Sequence, residues 1–294
     1  MFEIRQRGST VGREVLGGVT TFMALSYILF VQVGLLGRLG MDGGGVLAAL
    51  CLASAGACFL MALLANYPIA LAPGMGENFF FAMLAGTMGT WALGCAGWQA
   101  ALSLVLLSGV LFLLLSLVGF RARLLNAIPD ALKSGVAAGI GLLIARVGLD
   151  HSGLTAAMQV TVLRGFRGNE QAWVALVGLG ATLLLLALRV RGAILLGIAA
   201  ATGAALLLGG TAWQFPFQAP GGLASTAGGF VPGFRGLWAG LTGGRALDIL
   251  AFLLVLLMLD LFDTVGTLVG VARRAGLMHG GALPRAGRAL AADA

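Results

Sequence analysis

The sequence predicts an all-α polytopic membrane protein of about eight spans, the third of them broken. Three observations carry that prediction. Hydrophobic residues make up 59% of the 294 and charged residues 10%, with a mean hydropathy of +1.00. Soluble domains average about 25% charged residues, and none needs so much apolar surface. A run of 78 residues, Gly43–Phe120, carries a single charge, Glu77. Prolines, glycines and carboxylates also fall inside the apolar stretches, where they have to be accommodated by the fold. Disordered, collagenous and coiled-coil chains are excluded by the same composition.

A helical span needs about 20 mostly apolar residues. Val15–Gly37 is free of acids and bases for 23 residues and reads as the first span. Gly43–Phe120 is too long for two helices and suits three, with Glu77 inside the middle one. Leu132–Gly148 carries Lys133 near one end and Arg146 near the other, where both can snorkel. Ala172–Leu188 and Ala193–Trp213 follow. Gln214–Arg245, rich in Gly, Pro and Phe, reads as a connection. Ala246–Val271 is the eighth span, with Asp248 at its edge and Asp260 and Asp263 deeper. Arg273–Ala294 is a basic, loop-like segment that reads as the approach to another helix, so the chain is expected to be a fragment.

The net charge of +7 comes from 17 Arg and Lys133 against 11 acids. In a soluble protein this would point to nucleic acid. Here the bases lie between apolar stretches, where anionic headgroups and the orientation rule account for them. With the N-terminus in the cytoplasm and eight crossings, 12 of the 18 bases fall on the cytoplasmic side, from Arg5 to Arg288. Both termini are therefore expected inside. Met1–Glu14 is polar and lacks the early apolar core of a signal peptide, so the first span is expected to be retained. The three cysteines show no metal or disulfide spacing. No cofactor and no metal are expected.

Two segments could carry chemistry. The first is Asn66–Asn78, followed by Phe79-Phe80-Phe81. Pro68, Pro73, Gly74 and Gly76 oppose a continuous helix. Irregular backbone at membrane depth is tolerated only when it is buried in protein or lines a cavity. The pattern predicts an extended stretch through Ala72 and a helix beginning near Glu77, whose free N–H groups would serve a carbonyl or anionic ligand. A proline-kinked helix with Glu77 at a membrane edge is the alternative. The second segment is Leu259–Thr267, where Asp260 and Asp263 share one helix face with Thr264 and Thr267 beside it. Acids inside spans face a polar cavity or a partner and mark function by default; a structural pair bonded to nearby backbone is the alternative. Thr20, Thr21, Ser26 and Tyr27 are polar positions of the first span that suit either the same cavity or interhelical hydrogen bonding. Trp91, Trp98, Trp173 and Trp213 read as interface anchors. His151 and His279 lie outside the span cores.

Five pieces then fall in a familiar order: Gly17–Ile28, Ala72-Pro-Gly-Met-Gly-Glu-Asn78, Ile128-Pro-Asp-Ala-Leu-Lys133, Ala138-Gly-Ile-Gly141 and Asp260-Leu-Phe-Asp-Thr-Val-Gly-Thr267. Together they resemble the guanine/hypoxanthine branch of the xanthine/uracil permease family, the nucleobase:cation symporters. The resemblance implies a transporter of two inverted seven-span repeats, of which this chain holds the first repeat plus span 8. Core spans 1–4 would occupy residues 15–120, gate spans 5–7 and their connection 121–245, and core span 8 residues 246–272. Residues 1–14 and 273–294 would be cytoplasmic. The broken segment matches span 3 and the aspartate pair span 8, whose substrate-binding acid corresponds to Asp263. Thr267 stands where some uracil-type relatives carry a histidine.

The expected function is proton-coupled transport of a purine nucleobase, and no enzymatic activity is expected. The expected binding residues are Gly74, Met75, Gly76, Glu77, Asn78, Phe79, Asp263 and Thr267, with Asp263, Asp260 and Glu77 as proton-coupling candidates. The expected partners are the nucleobase and proton, the bilayer of the plasma membrane, and a second copy of the chain as a homodimer; nucleic acid is not among them. A non-transporting truncated scaffold, a membrane enzyme using the two aspartates, and an anion transporter of similar fold are the alternatives.

Overall fold

A computed structural model describes residues 9–91, 93–118, 130–154, 169–190, 192–208, 222–276 and 286–293. Among these residues every regular element is helical: α1 (Val11–Leu25), α2 (Tyr27–Gly37), α3 (Gly43–Leu60), a π-helical turn (Met61–Ala65), α4 (Met75–Gly89), α5 (Gly97–Leu117), α6 (Asp130–His151), α7 (Glu170–Ala187), α8 (Ala193–Leu207), α9 (Leu223–Ala227), α10 (Phe230–Thr242), α11 (Ala246–Arg274) and α12 (Ala286–Asp293). Among the described residues four stretches are long and apolar enough to cross a membrane: Val11–Gly37, Gly43–Ala65, Gly97–Ser116 and Glu170–Ala187. At 29 residues, α11 has the length as well. Large apolar side chains such as Phe59, Leu114 and Leu184 are exposed, as residues facing lipid tails would be. Trp213, His279 and much of the links at 121–129 and 273–285 lie outside the described residues.

The chain forms two compact units. One comprises Met1–Phe2, Leu29–Ile140 and Ala219–Ala294, the other Glu3–Ile28 and Gly141–Gln218.

In the second unit α7 and α8 form an antiparallel hairpin joined through Arg189 and Gly192, both at positive φ. The two helices approach closely because small residues face each other: a Cβ on Gly178 would meet the Ala201 Cβ at 2.7 Å, and one on Gly197 would strike Thr182. Close approach of this kind drives association where lipid offers no hydrophobic gain. Thr20 and Thr21 donate to the carbonyls of Leu16 and Gly17 on their own helix, and Ser26 to Met23, so these hydroxyls are satisfied within the span rather than between helices.

In the first unit Asp42 caps α3, its Oδ2 accepting from Gly45 N at 2.7 Å. The helix then widens into the π-helical turn and ends at Asn66, which adopts the left-handed conformation (φ 58°, ψ 38°). Tyr67 and Ile69 are buried while Pro68 between them is exposed, the alternation of extended backbone. The non-helical stretch runs through Gly74 (φ −66°, ψ 132°), and α4 begins at Met75, two residues before the expected start. The core of this unit gathers Leu36, Val46, Phe81, Leu84, Met88, Leu104, Leu237 and Leu256.

Two elements depart from the expected layout. The Gly-rich segment read as a connection contains α10, which packs along α5. A Cβ on Gly233 would strike the Gln99 carbonyl, and one on Gly236 would crowd Cys95 and Leu93. Ser103 Oγ donates to the Phe230 carbonyl at 2.8 Å and fastens the pair. These glycines permit close helix packing, not a loop. Residues 286–293 form α12, which buries Ala289 and Ala292 with Met61, Ala65, Tyr67 and Ile69. Part of the basic C-terminal segment therefore covers the π-helical turn and the extended stretch after it.

Candidate functional site

The non-helical stretch before α4 follows from its residues. Pro68 and Pro73 each lack an amide hydrogen and disfavour helix in the residue before them. Glycine at 74 offers α4 no capping side chain. The first helical hydrogen bond runs from Asn78 N to Gly74 O at 3.1 Å. The amides of the first turn, Met75, Gly76 and Glu77, precede it and have no helical carbonyl ahead of them. The positive end of the α4 dipole lies there too.

A carboxylate stands at that end. A Cβ placed on Gly74 would lie 2.7 Å from Asp263 Oδ2, 3.5 Å from Asp263 Cγ and 3.6 Å from Glu77 Cδ. Asp263, distant in sequence, thus converges with Gly74 and Glu77 on one point. A carboxylate at a helix N-terminus is favourable by about 0.3–1 kcal/mol. It also presents acceptors beside a row of backbone donors, so the pair can meet a ligand that carries both kinds of group. Asp263 and Asp260 are each half-buried, one helical turn apart on α11. Thr264 is buried between the same turns, at 3% exposure.

The register that brings Asp263 to Gly74 is set at the other end of the two helices, which run antiparallel. Phe252 on α11 packs edge-on against Phe80 of α4 with ring centroids 6.4 Å apart, and stacks on Trp91 at 5.9 Å. Arg245 lies over the Trp91 ring at 4.8 Å, a cation–π contact. Trp91 thus anchors a helix pair, beyond its expected place at an interface.

Of the other expected binding residues, Met75 is buried and Gly76 and Phe79 are half-buried in the first turns of α4. Asn78 is 9% exposed, and its Nδ2 has no hydrogen-bond partner. Leaving a buried donor unmade costs about 1–3 kcal/mol, so such a group marks a place where a partner is wanted. The Thr267 side chain lies outside the described residues. Sequence reasoning missed Gln32 on α2, which is 8% exposed with Oε1 unpaired; an amide within an otherwise apolar span was the available signal. Among the described residues no three of His, Cys, Asp and Glu gather as a metal site.

The sequence model of a permease family, the xanthine/uracil permeases, matches residues 12–294. Guanine/hypoxanthine permease PbuG of Bacillus subtilis is 41% identical over 99% of this chain and 66% of its own length. The putative permease MJ0326 of Methanocaldococcus jannaschii is 40% identical over the whole chain and 65% of its own length. Adenine permease AdeP of Escherichia coli is 31% identical over the whole chain and 63% of its own length. The chain thus spans about two thirds of the curated relatives it matches. With apolar helices fit to cross a bilayer, these matches show that the chain belongs to the xanthine/uracil permease family of integral membrane proteins.

Proposed function

We propose that the chain forms part of a permease carrying purine nucleobases across the plasma membrane in symport with protons, with both termini in the cytoplasm. One observation carries the proposal: the Asp263 carboxylate opposes the N-terminus of α4 at Gly74. A purine offers N–H donors and ring nitrogen or carbonyl acceptors on one planar edge. Asp263 accepts a ring N–H, the amides of residues 75–77 donate to ring acceptors, and the Asn78 amide supplies a further donor. Phe79 packs on the ring face. Asp260, one turn away, supports Asp263 or shares its proton, and Glu77 is the third proton carrier. Thr267 lies one turn beyond Asp263 on the same helix. Residues 15–120 and 246–272, with α10 packed on α5, act as the core and the remainder of 121–245 as the gate, rocking against each other; the assembly is a homodimer.

The matched relatives named as guanine/hypoxanthine and adenine permeases support purines as the substrate class and transport in place of catalysis. An anionic substrate is disfavoured because Asp263 would oppose it at close range. Uptake of radiolabelled hypoxanthine by cells expressing the full-length gene tests the proposal. Excess guanine competes and sulfate does not. Asp263→Asn keeps the shape but loses the charge, and uptake and its pH dependence are lost with it. Unchanged uptake by that variant would refute the role of Asp263.

A further inference from the structure

We infer that Cys58 is a positioning residue for the binding half-helix: its thiol, bonded to both backbone groups of Leu71, sets the extended stretch so that Gly74 meets Asp263. The Leu71 amide donates to Cys58 Sγ at 3.2 Å, and the Cys58 thiol donates to the Leu71 carbonyl at 3.5 Å. Extended backbone at membrane depth has given up its helical partners and needs others. A thiol is a weak donor and a weak acceptor, and its long reach suits both distances.

The position of this pin explains its use. Cys58 lies in the last turn of α3, just before the π-helical turn, and Leu71 lies three residues before Gly74. The bonds close a loop around the π-helical turn, the left-handed Asn66 and Pro68. Leu71 also packs at the edge of the cluster formed by Met61, Ala65, Tyr67, Ile69 and α12. Gly74 approaches Asp263 so closely that a methyl group there would displace the carboxylate, so a small shift of the stretch alters the site. Cys51, two turns earlier on α3, is exposed and serves as the internal control.

Two measurements on the full-length protein test the inference. The first is hydrogen–deuterium exchange of peptides covering residues 66–74 in purified protein. Cys58→Ala accelerates this exchange about tenfold, whereas Cys58→Ser, which keeps a donor and an acceptor, stays near wild type and Cys51→Ala has no effect. The second is uptake kinetics, whose link to Cys58 rests on the purine-permease reading. Cys58→Ala raises KM for hypoxanthine about fivefold at equal protein in the membrane, and Cys58→Ser restores it. A residue that only stabilised the bundle would lower the amount of protein and leave KM alone. If the wild type takes up no nucleobase, the functional reading fails while exchange still decides on the pin. Unchanged exchange in Cys58→Ala, or equal exchange in the Ala and Ser variants, overturns the inference.

Discussion

Replacing Gly74 with alanine perturbs the candidate site by one carbon atom. The backbone there, at φ −66° and ψ 132°, is open to any L residue, so the substitution adds no strain of its own. Its cost is steric. The new Cβ would sit 2.7 Å from Asp263 Oδ2. Comfortable contact between such atoms begins near 3.4 Å, so the carboxylate has to withdraw by roughly 0.7 Å. That shift is large against a charge-assisted hydrogen bond of about 2.7–2.9 Å. If Asp263 accepts a substrate N–H, the variant forfeits most of that bond, about 1.5–3 kcal/mol. At about 1.4 kcal/mol per tenfold, KM for the nucleobase rises roughly 10- to 150-fold. The assay is concentration-dependent uptake in cells expressing the full-length gene, normalised to protein in the membrane. Gly86→Ala is the control, because a Cβ there meets nothing within 4 Å on the same helix. Unchanged KM in Gly74→Ala, at normal protein level, would show that the Asp263 carboxylate does not touch substrate from this position.

Two further predictions concern packing and reactivity. Gly233→Ala drives a methyl group into the Gln99 carbonyl and lowers stability by about 1–3 kcal/mol, read as a fall in the melting temperature of detergent-purified protein. Burial pushes the Cys95 thiol above its usual range, against a smaller opposing effect of the Ala100 backbone hydrogen bond. Near pH 8 less of it is thiolate than of a free thiol, so N-ethylmaleimide labels Cys95 more slowly than it labels free cysteine in the same solution, and the lag narrows as pH rises.

The non-helical stretch before α4 was legible because Pro68, Pro73, Gly74 and Gly76 stand together in a run with one charge. The aspartates were legible for the same reason. What the chain could not announce was proximity: nothing local to Gly74 or Asp263 says that one lies against the other. That approach depends on the Phe80–Phe252–Trp91 packing that fixes two antiparallel helices. Helix α10 was hidden by its glycines. Gly233, Gly236 and Gly240 recur every three or four residues, which is helical spacing, yet without knowledge of α5 the same residues read as a turn-rich link. The π-helical turn left no trace, since Met-Ala-Leu-Leu-Ala is ordinary α-helical sequence; tertiary packing sets the wider winding.

That wider winding has a consequence for the directions of every side chain beyond it. A π-helical turn holds one more residue than an α turn between the same hydrogen-bonded levels. If the same residues wound at ordinary α pitch, the surplus residue would be passed forward and all that follows would swing by about 100°. The alternating pattern of the strand-like stretch would then be aimed elsewhere, with Asn66 carried toward the seat that Tyr67 now fills. One surplus amino acid therefore acts as an angular offset, dialling the ribbon to the heading at which its far end meets a carboxylate.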